Sequence, residues 1–145
     1  MSQVLSNSHQ PTGLKRTLES TAAAMSAQAK RKELIAQNIT HANIPAEKGK
    51  DPYRRQLAVF QDVLNGFDQP TVQMVGIKQD QSEPLRIHDP THYVADAEGM
   101  VSYPNVNSIM EMQDLFQANQ STAAYNQLMA SAVEMERIHL RLLDV

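Results

Sequence analysis

From Asn105 to Val145 the chain contains neither glycine nor proline, and the same holds from Leu14 to Ile44. The strongest helix breakers are therefore confined to the middle and the extreme N-terminus, so any fold of this chain must accommodate two long uninterrupted helices. In the first run the periodic positions are Leu14, Leu18, Ala22, Met25 and Ala29, resumed at Ile35 and Ile39. In the second they are Val106, Ile109, Met112, Phe116, Asn119 and Ala123, and after a weak middle Leu128, Ala132, Met135, Ile138 and Leu142. Steps of three and four place each series on one narrow face of a helix. Thr12 can N-cap the first helix. For the second, Asn105, Asn107 and Ser108 are capping candidates, and Ser108 with Glu111 has capping-box spacing.

Helices of roughly 30 and 38 residues would be about 45 and 57 Å long. A compact chain of this size has a radius of gyration near 15 Å, so helices that long cannot both be wrapped within it. The predicted fold is mainly α: an elongated pair of long N- and C-terminal helices forming a coiled-coil-like layer, with a small, irregular middle segment that contains a β-hairpin. Composition agrees, because aromatics are 5% with no Trp, while eight Met and many Ala suit closely approaching helices. The stretch Gln117 to Gln127 offers Ala, Ser and Thr where an isolated helix pair would want Leu. Packing is therefore expected to be completed by other subunits, the alternative being a third element of the same chain.

The division that follows is a flexible tail at 1–12, a helix at 13–43, a middle segment at 44–104 and a helix at 105–145, the two helices forming one inner domain. Residues 14–42 carry five basic and two acidic groups, residues 105–145 two and five, so the two helices have opposite signs and attract weakly. In the middle, Tyr53 to Phe60, Thr71 to Ile77 and a shorter run at Leu85 to Ile87 favour strands, separated by Gly66, Asp68, Pro70 and Pro84. They read as a hairpin or three-stranded patch, with Met100 to Tyr103 as a further extended segment.

Several polar motifs invite chemistry. In "QNITHANIP", Asn, Thr and His are poor helix formers and Pro45 disfavours helical geometry at Ile44, so the helix should stop near His41 to Asn43. His41 then reads as a helix-end dipole partner or a packed side chain rather than a catalyst. "HDPTH" sets His88 and His92 four apart beside Asp89, a metal-ligand spacing on a helix, but Pro90 between them favours a turn. Lys30 to Lys32 reads as a solvated face, with an anionic partner surface as the sharper alternative. The five Gly never form a phosphate-cradling loop, and the absence of Cys removes thiolate and Cys-metal chemistry. No catalytic, cofactor or metal site is expected. Net charge of −3 is too small to indicate nucleic acid, no apolar run is long enough for a membrane span, and Met1 to Gln10 lacks the pattern of a cleaved signal peptide.

"IAQNITHANIPAEKGKDPYRRQLAVF" resembles the segment of bacterial flagellar axial proteins in which a helix ends in an Asn-x-x-x-Ala-Asn pattern followed by Tyr-Arg and Val-Phe. Those positions are Asn38, Ala42, Asn43, Tyr53, Arg54, Val59 and Phe60. "DPTHYVADAEGMVSYPNVNSIMEM" resembles the proximal branch of the flagellar basal-body rod proteins at Asp89, Pro90, His92, Ala95, Asp96, Gly99, Val101, Pro104 to Asn107, Glu111 and Met112. The likeness spans about residues 14–145. In the last helix the chain departs from the family's usual Ala-Ser-Arg-x-Tyr-x-Ala-Asn pattern, keeping Ala118 and Ala124 but carrying Asn119, Gln120, Thr122 and Tyr125 elsewhere.

The resemblance implies a structural subunit and no catalysis. It would be exported without a cleaved signal through the flagellar type III apparatus and assemble in the periplasm, its terminal helices forming a tube around the export channel that transmits torque. Implied partners are copies of itself, other rod proteins, the export apparatus, and MS-ring and rod-base components. The subunit-packing positions expected from the stripes and matched motifs are Leu14, Leu18, Ala22, Met25, Ile35, Asn38, Ile39, Ala42, Asn43, Tyr53, Arg54, Pro104, Asn105, Val106, Asn107, Met112, Phe116, Leu128, Met135, Ile138 and Leu142. Alternatives are a sister rod branch that lacks the "HYVADAEGMVSYPNVN" layout, and a soluble helical adaptor that binds one partner helix in a groove.

Overall fold

A computed structural model of the chain describes residues 13–64 and 70–143. The N-terminal tail, the Thr12 cap, and Gly66 and Asp68 of the anticipated turn lie outside the described residues. The elements run α1 (Gly13–His41), β1 (Gln56–Leu64), β2 (Pro70–Gln79), β3 (Leu85–His88), β4 (Met100–Tyr103) and α2 (Ser108–Leu143). Two long terminal helices thus flank a middle segment that carries two small antiparallel sheets.

Helix α1 ends where its polar side chains turn back on it. The Thr40 hydroxyl donates to the Ala36 carbonyl (2.8 Å), and His41 Nδ1 lies 2.8 Å from the Gln37 carbonyl, so that nitrogen carries the proton. A final turn follows, with Ala42 and Ile44 N–H donating to Ile39 and His41. At the other boundary the cap is Asn107, whose Oδ1 accepts from the N–H groups of Ile109 (3.0 Å) and Met110 (3.3 Å). The Ser108–Glu111 capping box does not form, because the Glu111 carboxylate is engaged inside the molecule.

The helices pack antiparallel, with Asn38 near the end of α1 beside Glu111 near the start of α2, and Arg31 beside Asp114. On α1 the buried residues are Thr21, Ala27, Leu34, Ile35 and Asn38. On α2 the inward residues are Glu111, Leu115, Ala118, Thr122, Tyr125, Met129 and Ala132, buried or half-buried. Their alternating steps of four and three make a heptad-like seam. Of the positions that the apolar periodicity of α2 marks, only Ala132 is buried in this seam, whereas Ile109, Met112, Phe116, Leu128, Met135 and Ile138 are exposed. On α1 the seam likewise bypasses Ala22 and Ala29, which are exposed. The seam's fully buried apolar positions on α2 are the small Ala118 and Ala132, which let the two backbones approach, with Leu115, Tyr125 and Met129 half-buried between and beside them.

Strands β1 and β2 pair from Gln56↔Gln79 to Leu64↔Pro70, with Val75 as the extra residue of a bulge between Val59↔Gly76 and Phe60↔Met74. This hairpin packs on α1. Strands β3 and β4 form a second, separate sheet, Leu85↔Tyr103 to His88↔Met100. Of the expected hairpin or three-stranded patch, the hairpin forms from the first two runs while the third pairs with β4 in its own sheet, and β1 starts at Gln56 rather than Tyr53. Tyr53 and Arg55 are held instead by side-chain bonds to the helices.

The β3–β4 connection is organised by Asp96, which accepts from Met100 N–H (2.7 Å), Glu98 N–H (3.0 Å) and Arg86 Nη2 (2.6 Å). Gly99 has φ 74°, and a Cβ there would meet His88 Cε1 and Pro90 Cγ at 3.1 Å, so a side chain would be both strained and crowded. The "HDPTH" segment is a turn in which Asp89 accepts from Thr91 N–H and Oγ1 while His92 stacks on Tyr93. Ala46 N–H donates to Ser102 O (2.8 Å), tying the chain after α1 to β4, above the buried Val101.

Candidate assembly site

Asn38 is the residue on which three elements converge. Its Oδ1 accepts from Gln56 N–H (2.9 Å) and from the Tyr53 hydroxyl (2.9 Å), and its Nδ2 donates to Gln56 O (2.9 Å) and Glu111 Oε2 (3.0 Å). The amide thereby pairs with both backbone groups of Gln56 as a neighbouring strand would, and its full donor and acceptor capacity is used. That satisfaction is what permits 1% exposure for so polar a group.

Glu111, also 1% exposed, carries the network onward. Its Oε1 accepts from Arg55 Nε; Arg55 Nη2 reaches Asp114 Oδ2 at 3.4 Å, and Asp114 Oδ1 lies 3.7 Å from Arg31 Nη2. Two arginines and two carboxylates compensate one another across α1, the chain before β1, and α2. Tyr53 closes the arrangement, stacking on His41 with ring centroids 4.4 Å apart and planes 12° from parallel. Burial pushes the Tyr53 hydroxyl up from its ordinary pKa, and the Glu111 charge adds to the shift. A cavity of about 270 Å³ adjoins the cluster between Leu34, Ile35, Phe60 and the polar groups. Paired arginines and carboxylates around a fully bonded amide make a structural joint. His41 sits in it as a packed, hydrogen-bonded ring.

The anticipated packing positions fall into three groups. Ile35, Asn38, Ala42 and Pro104 are buried inside the chain, and Leu14, Leu18, Met25, Ile39, Tyr53, Arg54 and Val106 are half-buried. Ala22, Asn43, Asn105, Asn107, Met112, Phe116, Leu128, Met135, Ile138 and Leu142 are exposed. The structure brings Asn38 and Tyr53 together but not Arg54, whose Nη1 lies 3.4 Å from Asp80 O. Asn105 reaches Ser82 Oγ (3.1 Å), and Asn107 is the α2 cap.

Arg55, Gln56, Asp114 and the buried carboxylate of Glu111 escape sequence reading. One signal was present: Glu111 stands on the heptad that runs through Ala118, Tyr125 and Ala132, adjoining the apolar stripe at its start and meeting it at Ala132. Away from that seam, α2 offers Ile109 at 71%, Phe116 at 72% and Leu142 at 72% exposure. This outer apolar face and the inner joint are the two features that can act in assembly.

No protein-family model matches the chain. Among curated proteins it is similar to the flagellar basal-body rod protein FlgC of Agrobacterium fabrum, 33% identical over 103 residues that span 68% of this chain and 73% of that protein. The FlgC protein of Salmonella typhimurium is 31% identical over 103 residues, 70% of this chain and 77% of its own length. That of Borreliella burgdorferi is 30% identical across 91% of this chain and 99% of its own.

Proposed function

The chain belongs to the flagellar basal-body rod protein FlgC family, as a structural subunit and not an enzyme, and from that premise we propose how it assembles. It occupies the proximal rod, where its terminal helices pack side by side with those of neighbouring subunits around the export channel and carry torque. The observation that supports this reading is the outer face of α2, where Ile109, Met112, Phe116, Met135, Ile138 and Leu142 stay exposed although the chain's own helix pair is formed. A run of large apolar side chains along a helix of about 54 Å is more than an isolated subunit keeps in water without a partner. Leu14, Leu18 and Met25 on the half-buried side of α1 extend the packing surface.

In this arrangement the helices form an elongated, coiled-coil-like inner layer, with the two hairpins packed outside it. The partners are copies of this chain, other rod proteins, the export apparatus and rod-base components including the MS ring. The site of assembly is the periplasm, reached through the type III apparatus without a cleaved signal. Among the described residues no helix is long and apolar enough to cross a membrane.

Cryo-imaging of purified basal bodies from cells that carry Ile138→Asp tests the reading. The expected result is loss of this chain's density from the proximal rod, together with non-motile cells. Normal rods in that mutant would refute packing through this face.

A groove of about 590 Å³ between Leu34 of α1 and Met74, Val75 and Ile77 of β2 supports a second reading, an adaptor that holds one partner helix. Light scattering separates the two, since the adaptor yields a finite complex and the rod subunit a polymer.

A further inference from the structure

The seam between α1 and α2 mixes small side chains, Thr21 and Ala27 on one helix and Ala118, Thr122 and Ala132 on the other, with larger ones such as Leu34, Leu115, Tyr125 and Met129. Moving α2 by one turn, about 5.4 Å, exchanges apolar seam residues for one another, a non-directional term, whereas it breaks directional bonds outright. Among the described residues, a cluster of directional bonds joins the helices at one end, where Asn38 meets Glu111 and Asp114 meets Arg31. A one-turn slip would draw Glu111 away from Asn38 and Arg55. It would take the amide and guanidinium partners from the buried Glu111 carboxylate, while Asn38 keeps its bonds to Gln56 and Tyr53.

We propose that the Asn38–Glu111–Arg55 network is a register key, the element that fixes the axial stagger of α2 on α1. A single buried polar residue sets register in coiled coils by the same logic, and here three elements read one another because Gln56 and Tyr53 bond to the same Asn38 side chain. Register matters beyond the monomer, resting in this clause on the rod reading above: the stagger decides at what height Phe116 and Ile138 are offered to adjacent copies. Stability and register are separable roles, since apolar replacements of a buried polar network can preserve stability while erasing specificity.

The chain has no cysteine, so two can be introduced for spin labels at Ala29 and Ala130, both exposed and outside the network. Pulsed dipolar spectroscopy on the full chain is expected to give one narrow distance. In the Asn38→Leu/Glu111→Leu double variant, with helix content unchanged by circular dichroism, a second population should appear, displaced by about 5 Å or a multiple of it. Glu111→Leu alone should show the same second population, and serves if the double variant fails to fold. A single unshifted distance in either folded variant overturns the proposal, as does a broad distribution in the parent chain. Loss of helix in both variants would assign the network to folding rather than register and would also overturn it. The measurement needs no rod, so it can fail while rod incorporation succeeds, and the reverse.

Discussion

Asn38 and Glu111, 73 residues apart in the chain, share a 3.0 Å hydrogen bond in which each is only 1% exposed to solvent. An amide near the end of one long helix is thus fastened to a carboxylate on the first turn of the other. The same amide holds both backbone groups of Gln56, so the start of the first hairpin hangs from this contact.

Asn38→Ala should therefore leave Glu111, Tyr53 and the Gln56 backbone short of partners at once. The expected loss is about 2–4 kcal/mol, more than deleting a surface hydrogen bond, because buried groups lose partners that water cannot replace. Urea unfolding checks it, and a change below about 1 kcal/mol would show that water relieves the site.

Phe116 and Ala118 are neighbours on α2 with opposite environments, 72% and 0% exposed. Phe116→Asp is expected to change monomer stability by about 0.5 kcal/mol or less and to abolish rod assembly and motility. Ala118→Leu forces bulk into the seam and should cost about 1–3 kcal/mol. Thermal melts paired with a swarming assay distinguish the two faces, and a strong destabilisation by Phe116→Asp would contradict them.

The Met100 backbone N–H, with the Arg86 guanidinium also beside it, holds the Asp96 carboxyl below its usual 3.8. A depressed native pKa gives stability that is present above the unfolded value and lost as pH falls through the native one. The β3–β4 hairpin should accordingly loosen below about pH 4. Amide exchange at Gly99 and Met100 between pH 5 and 3 follows this, and Asp96→Asn should flatten the pH dependence. An identical profile in that variant would remove Asp96 as its cause.

Gln28 lies half-buried on α1, and its Oε1 has no partner among the described residues. Gln28→Leu exchanges an unpaired polar atom for apolar surface and should stabilise by about 1 kcal/mol, seen as a higher Tm. A lower Tm would mean that the amide is solvated in its place.

Much of this molecule was legible because it is local. Runs without Gly or Pro dictate the helices, Asn43 and Pro45 stop the first, and Asn107 after Pro104 starts the second, each through backbone preferences that need no distant contact. The motifs around Asn38 and Pro104 to Asn107 also carried the family. Polarity alone would place Glu111 in water; burial becomes tolerable only because Asn38 and Arg55 arrive from far along the chain to satisfy it. Apolar periodicity likewise cannot tell a face meant for this chain's own helix from one left for another, and in α2 the internal seam went to the face that carries Glu111, Ala118 and Ala132, where the buried polar bonds and close backbone approach are made. Helix, boundary and kinship were written residue by residue, while the choice of inner face and the pairing of β3 with β4 were settled by groups meeting in space.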